Sequence, residues 1–322
     1  MPVLANTNCA DRNLIRDAFL PFARPDYVEG MLIGDDLDSL LSAMYLHKKF
    51  GWPVAGVYCQ YTHLWHSVPK EVFHNKLNSG KYFAADLDLY HPAVPSLGHH
   101  IIALDHTDEL PGHSHSLNPN ALRGFSVRQG FTRKYPLATV HFLLWLFDEK
   151  DLTAGAEYLV WLADSAFINA QHYRRNVEEW IGAFMPYPAF TRLLPALQTL
   201  RFEQQLKETV LDTLATHPLC KPGRAKYRSQ HLGLNGFQCQ FINPDTQNGA
   251  LQSLIALLSK ISGWPPFPFP GSFSGPVEGI RKDISVGQVT DTGLTFGEWL
   301  SREDVFSYAF TYRDRLNYTV LR

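Results

Sequence analysis

The chain has 322 residues, 45% of them hydrophobic and 19% charged, with 29 lysines and arginines against 31 aspartates and glutamates. That apolar fraction excludes wholesale disorder, and a formal charge of −2 excludes a polybasic, histone-like binder. The length predicts two domains, or one large domain with an appendage. No run approaches the roughly 18 uninterrupted apolar residues of a membrane-crossing helix. Asp11, Arg12, Arg16 and Asp17 stand where a secretion signal would be apolar. The expectation is a soluble, cytoplasmic protein without membrane partners. Cys9, Cys59, Cys220 and Cys239 form no C-x-x-C pair and are read as reduced and mostly packed.

In chain order, Tyr27 to Gly34 reads as a short strand ending in the acidic loop Asp35-Asp36-Leu37-Asp38. Ser39 to Phe50 shows helical spacing of Leu40, Leu41, Met44 and Tyr45, with Ser39 as its N-cap. Gly51 and Pro53 close that helix, and Val54 to Cys59 reads as the next strand. A second acidic cluster, Asp86-Leu87-Asp88, follows the apolar run from Tyr82 to Ala85. A third, Asp105-His106-Thr107-Asp108, follows Ile101 to Leu104. Short apolar runs alternating with helical stretches predict βαβ units around a buried parallel sheet. Ligands collect beyond the carboxyl ends of such strands, which is where all three acidic clusters fall.

From Lys134 to Trp180 the pattern is helical, and Phe202 to Thr216 is a further helix. Beyond Pro218, Tyr227 to Ile242 looks strand-rich, Gly249 to Ile261 helical, and Gly263 to Gly275 is a Pro/Gly/Phe-rich loop. The ending, Val305 to Leu321, is aromatic and β-prone, with Phe306, Tyr308, Phe310 and Tyr312 alternating towards one core face. The boundary falls between 190 and 220. The fold class is therefore α/β: a parallel-sheet, Rossmann-like N-terminal domain with a helical extension (1–195), and a smaller α+β C-terminal domain for substrate or partner binding (196–322).

One aspartate after a strand is ordinarily a cap or an Asx turn. Several converging carboxylates repel one another unless cations sit between them. Oxygen-rich sites with an imidazole suit manganese or magnesium, and two such ions can clamp a phosphoryl group and activate water.

The arrangement resembles the DHH phosphoesterase superfamily. Asp36-Leu37-Asp38-Ser39 is similar to its first motif, an Asp-x-Asp after a strand. Asp86 is similar to its second, Asp105-His106-Thr107 to the Asp-His-His that names the group, Leu117-Asn118-Pro119 to a common Asn-Pro, and Asp164 to the fourth motif. The resemblance spans residues 27–185. It implies metal ligation by Asp36, Asp38, Asp86, His106 and Asp164, with Asp86 bridging two Mn2+ (or Mg2+) ions, or fewer ligands around a single ion. Asp38, Asp86, Asp105 and His106 would form the catalytic group, with Asp105 orienting its neighbours. The implied substrate is a nucleotide or a short single-stranded nucleic acid, cleaved at a phosphodiester, with a homodimer or hetero-complex as the expected assembly.

The sequence departs from the pattern at three positions. Leu32 stands where many members carry a His, Gly34 where RecJ-type exonucleases carry an Asp, and Thr107 where the second His contacts the scissile phosphate. Those departures motivate the alternative, a catalytically impaired DHH-like subunit that binds a protein or nucleic acid. Asp88 and Asp108 stand within reach of the same cavity but read equally well as loop solvators. His113 and His115 read as solvated loop histidines, and Arg133 and Lys134 as positive charge near the cleft or as surface. Gly271-Ser272-Phe273-Ser274-Gly275 is the nearest counterpart of the family's Gly-Gly-Gly-His loop, and Arg224, Lys226 and Arg228 alternate as on a charged strand face.

Overall fold

The computed structural model describes residues 9–223 and 226–322, so Arg224 lies outside the described residues. Nine strands form one sheet in the order β10-β11-β9-β3-β2-β1-β4-β5-β6. They are β1 (Gly30–Ile33), β2 (Val54–Cys59), β3 (His63–His66), β4 (Tyr82–Ala85), β5 (Ser96–Leu97), β6 (Ser116–Leu117), β9 (Pro276–Ser285), β10 (Ser307–Tyr312) and β11 (Arg315–Leu321). The separate strands β7 (Cys220–Pro222) and β8 (Phe237–Cys239) pair with each other. The strands from β2 to β6 by way of β1 and β4 are parallel, and the β2–β3, β3–β9, β9–β11 and β11–β10 pairings are antiparallel.

Every residue of β1, β2 and β4 is buried. Strands covered on both faces need continuous apolar sequence rather than alternation, which is how these runs read. Between them, helix α1 (Leu37–Phe50) crosses one face of the sheet and ends at Gly51 in the left-handed conformation, φ +73°. His47, Lys48 and Lys49 fill its last turn, where the helix dipole favours cations. Its N-cap is Asp36, which accepts from Ser39 N–H, so the expectation of Ser39 as cap falls three residues too late.

Chain reversal at β1 sets the location of the site. From β1 the chain moves to β2 on one side, then returns to place β4 on the other. A crevice therefore opens at the carboxyl ends of β1 and β4, the switch point of the sheet.

The expected strand at Ile101 to Leu104 is irregular backbone. Ile101, Ile102 and Leu104 are buried in a cluster with Trp299, Leu300 and Tyr308. Their apolar character reflects burial against the C-terminal hairpin, while the parallel sheet continues earlier, at Ser96 and Leu97. Likewise, only Phe237–Cys239 of the expected strand region 227–242 is extended in a ladder.

The largest core cluster runs from Ala10 to Phe267 and crosses residue 195 without a break. Helices α2 (Thr139–Leu146), α3 (Ala154–Leu162) and α4 (Ala166–His172) share it with α5 (Asn248–Ser262). Because β9 pairs with β3 at one end and β11 at the other, the C-terminal hairpin extends the N-terminal sheet. Phe306, Tyr308 and Phe310 are buried and Tyr312 is exposed. Among the described residues, no helix is long and apolar enough to cross a membrane. Cys59, Cys220 and Cys239 are buried free thiols and Cys9 is exposed; Cys220 and Cys239 face each other across β7 and β8.

Candidate metal centre

Four aspartates and one histidine meet in the crevice. Asp36 and Asp38 come from the turn after β1 and the first turn of α1, and Asp86 directly follows β4. His99 lies two residues past β5, and Asp164 sits in the short turn between α3 and α4. His99 Nδ1 is 3.3 Å from Asp86 Oδ1 and 3.7 Å from Asp38 Oδ2, while its Nε2 is 3.0 Å from Asp164 Oδ2. Ligand atoms of Asp38, Asp86 and His99 all fall within 4.8 Å of one another.

Strained backbone helps create this convergence. Asp86 adopts φ +58°, Asp164 φ +49° and Ser165 φ +57°, all in the left-handed region without being glycine. Each such residue costs on the order of 1–3 kcal/mol, and the surrounding packing must over-determine it.

Neutral donors hold the carboxylates in place. Asp86 accepts from Ser39 Oγ–H at 2.7 Å and from Thr139 Oγ1–H at 2.6 Å. Asp38 accepts from the backbone N–H groups of Thr139 and Val140, so it caps α2 across the fold where Ala138 offers no side-chain cap. Gly34 has a steric role here: a Cβ would lie 2.4 Å from Ser39 Oγ. The space an aspartate would take at position 34 is occupied by the hydroxyl that holds Asp86.

The electrostatics are those of an acid cluster with one imidazole cation. Burial, followed by the charges of Asp86 and Asp164, pushes both Asp36 and Asp38 well above the usual carboxylate range. For His99, burial opposes protonation, but hydrogen bonds and charge from Asp164 and Asp86 outweigh it and hold the imidazolium. Burial also pushes Asp164 up, yet His99, His100 and His141 together bring it below its ordinary value. A proton on His99 thus occupies the place of positive charge, and a divalent cation would compete for the same atoms. Hard carboxylate oxygens with one imidazole fit Mn2+ or Mg2+.

The structure corrects the sequence expectation in several places. Asp36, Asp38, Asp86 and Asp164 come together. His106 does not join them: its half-exposed ring has Nδ1 2.7 Å from Asp105 Oδ1, and Asp105 also pairs with Arg128 on the surface. His99 takes the imidazole position because β5 ends at Leu97. The signal was present as the adjacent pair His99-His100, but the longer apolar run after it drew the strand assignment. Asp35 points elsewhere, accepting from Gln60 N–H at 2.9 Å, and burial raises its carboxyl to about 6. Asp108 accepts from the N–H groups of Leu104 and Asp105 and closes a loop. His113 is buried rather than solvated, bonded to Ser116 Oγ and Tyr308 OH. In the 271–275 loop, Phe273 N–H is bound by Asp245 and Ser274 N–H by His66 O, and the loop residues line neither cavity beside the acids.

Two adjoining cavities flank the acids. One is lined by Asp36, Asp38, Asp164, Gly223 and Gln240, the other by His99, His100, Lys134, Tyr135 and Thr311. Asp164, Asn169, Tyr173, Lys226 and Tyr227 line both. Burial lowers the ammonium pKa of Lys134, which has no ion-pair partner among the described residues; its Nζ lies 5.0 Å over the Phe131 ring.

No family model, no curated protein and no solved structure matches this chain.

Proposed function

We propose that the chain is a divalent-metal-dependent phosphoesterase of the DHH type, acting on a phosphodiester in a nucleotide or short oligonucleotide. The observation that carries this reading is the convergence of Asp36, Asp38, Asp86, His99 and Asp164 at the switch point of a parallel sheet, beside a cleft lined also by Lys134 and Lys226. The first, second and fourth motifs of the resemblance contribute to that convergence. Gly98-His99-His100 supplies the paired imidazoles in place of Asp105-His106-Thr107, with glycine where the family's aspartate would be.

Asp38, Asp86 and His99 would hold a Mn2+ or Mg2+ ion, with Asp36 and Asp164 across the cleft for a second. When bound, the ions supply positive charge to phosphoryl oxygens and an acidified water. The chain's own groups do the rest. Lys134, desolvated and unpaired among the described residues, offers charge to a non-bridging oxygen, and half-exposed His100 lines the same cavity. Tyr173 and Tyr227 present exposed rings at the cleft wall, with Tyr227 stacked on His172 at 4.5 Å, a surface suited to a nucleobase.

A second reading is the impaired, DHH-like binding subunit. It is favoured by Leu32, fully buried in a hydrophobic cluster, and by Asp38, both of whose oxygens already accept backbone N–H groups. Metal analysis with manganese titration, using bis(p-nitrophenyl) phosphate and a panel of dinucleotides and labelled oligonucleotides, separates the two. Manganese-dependent turnover abolished by Asp86→Ala supports the enzyme. A folded protein with no bound metal and no turnover supports the subunit.

A further inference from the structure

We infer that Asp88 is a positioning residue whose buried carboxylate fixes the orientation and tautomer of His100, presenting the Nε2 atom of that ring to the cleft. The inference rests on the phosphoesterase reading only for its ligand, a phosphoryl oxygen.

The geometry is a clamp around one residue. Asp88 Oδ2 accepts from the backbone N–H of His100 at 3.0 Å and lies 3.3 Å from its Nδ1. Asp88 Oδ1 accepts from Asn118 Nδ2 at 2.8 Å, and the same amide donates to the carbonyl of His100 at 2.8 Å. Asn118 is itself immobilised, because its Oδ1 accepts from the N–H groups of Asn120 and Ala121. The backbone N–H, backbone carbonyl and Nδ1 of His100 are thus all held by two buried side chains.

Burial separates the parts by role. The Asp88 side chain is 4% exposed and His100 is 43% exposed. Asp88 is therefore out of a ligand's reach, while the imidazole it holds faces the cleft beside His99, Lys134 and Asp164. The His99 and His100 rings stack with centroids 4.5 Å apart, so fixing one ring also limits the other. A carboxylate is an acceptor only, so the proton of a neutral His100 ring resides on Nδ1 and Nε2 is left for the cleft. Carboxylates that hold a functional imidazole in this way set its tautomer, and losing one typically costs 10–100-fold.

Gly98 makes room for the clamp. A Cβ at that position would fall 2.3 Å from the Cγ and Oδ1 of Asp88. The carboxylate reaches from the end of β4 into the volume that any side chain at position 98 would fill. Glycine is required here by space rather than by a left-handed backbone.

The test is two-bond 1H–15N correlation spectroscopy of the histidine rings in the full-length, metal-free protein at pH 8, with His100 assigned by His100→Gln. The expected wild-type signal is an Nδ1-protonated ring, changed to the Nε2-protonated form that an unrestrained imidazole favours in Asp88→Ala, which removes the acceptor beside Nδ1. Gly98→Ala, which displaces the carboxylate by a different route, is expected to give the same change. A wild-type His100 already protonated on Nε2, or an unaltered tautomer in a folded Asp88→Ala protein, overturns the inference. If neither variant folds, the wild-type spectrum still decides. In turnover of bis(p-nitrophenyl) phosphate with manganese, Asp88→Ala is expected to lower kcat about 10–100-fold with little change in KM. The Asp88→Ala/His100→Ala double variant should lose no more than His100→Ala alone, and additive losses would refute the coupling. Absence of turnover in the wild type removes the phosphoesterase reading and leaves the tautomer result standing.

Discussion

The backbone N–H of Thr139 donates to Asp38 Oδ2 at 2.6 Å across 101 positions of sequence. One carboxylate thereby belongs to two structures, as a member of the acid cluster and as the N-terminal cap of α2. Asp38→Ala should cost about 1–3 kcal/mol by orphaning two buried N–H groups, whereas Asp38→Asn keeps one acceptor and should cost less. Both are expected to lower manganese-dependent turnover at least about 100-fold. Urea denaturation of metal-free protein alongside kinetics checks this, and undiminished turnover in Asp38→Asn would remove Asp38 from the mechanism.

Manganese binding and its dependence on the two candidate histidines discriminate between the sequence and structural site assignments. At 100 times its dissociation constant, the ion should stabilise the folded chain by about 2.7 kcal/mol, and a chelator should reverse the effect. His99→Ala is expected to abolish this shift in a thermal melt. His106→Ala should leave it intact, since that ring pairs with Asp105 on the surface. A shift lost in His106→Ala and retained in His99→Ala would contradict the assembled site.

Lys134 is the one half-buried ammonium at the cleft that no carboxylate neutralises among the described residues, which suits it to substrate charge rather than to fold stability. Lys134→Met should raise KM for a dinucleotide about tenfold, a loss of about 1.4 kcal/mol, with kcat little changed. A reduced kcat at unchanged KM would place Lys134 in the chemical step instead.

Two buried histidines each weaken the fold on acidification. Burial lowers His113 to about 4 and His141 to about 3, both below the ordinary value of 6.5. Between those limits the unfolded chain binds a proton at each position that the folded chain does not. The contribution of each group therefore rises with pH across the window and falls on acidification by about 1.4 kcal/mol per pH unit, opposing the raised carboxyls of Asp35, Asp36 and Asp38, which favour the folded chain as pH falls. The window closes near pH 4 for His113 and near pH 3 for His141. Both ring nitrogens of His141 are buried without a hydrogen-bond partner among the described residues, against Trp161 and Phe190. His141→Leu should stabilise the protein by about 1–3 kcal/mol at neutral pH and by more at pH 5. Denaturant midpoints at pH 5 and pH 7 measure both effects.

The sequence by itself determined the elements whose cause is local. Continuous apolar runs at 30–33, 54–59 and 82–85 specify strands buried on both faces, and the acidic turns that follow them specify Asp36, Asp38 and Asp86 as neighbours at the strand ends. The α/β class followed from that alternation, as did the placement of Asp164 after an apolar helix. Local pattern could not say which imidazole meets these acids. Ile101, Ile102 and Leu104 are apolar because a hairpin from residues 307–321 covers them, a contact about 200 positions distant, so periodicity mistook a covered loop for a strand. Tertiary structure moved the strand end to Leu97 and so exchanged His106 for His99. It alone brought Thr139 to Asp38 and Asp88 into the space left by Gly98, because those relationships depend on where separate segments pack and not on any residue's neighbours in sequence.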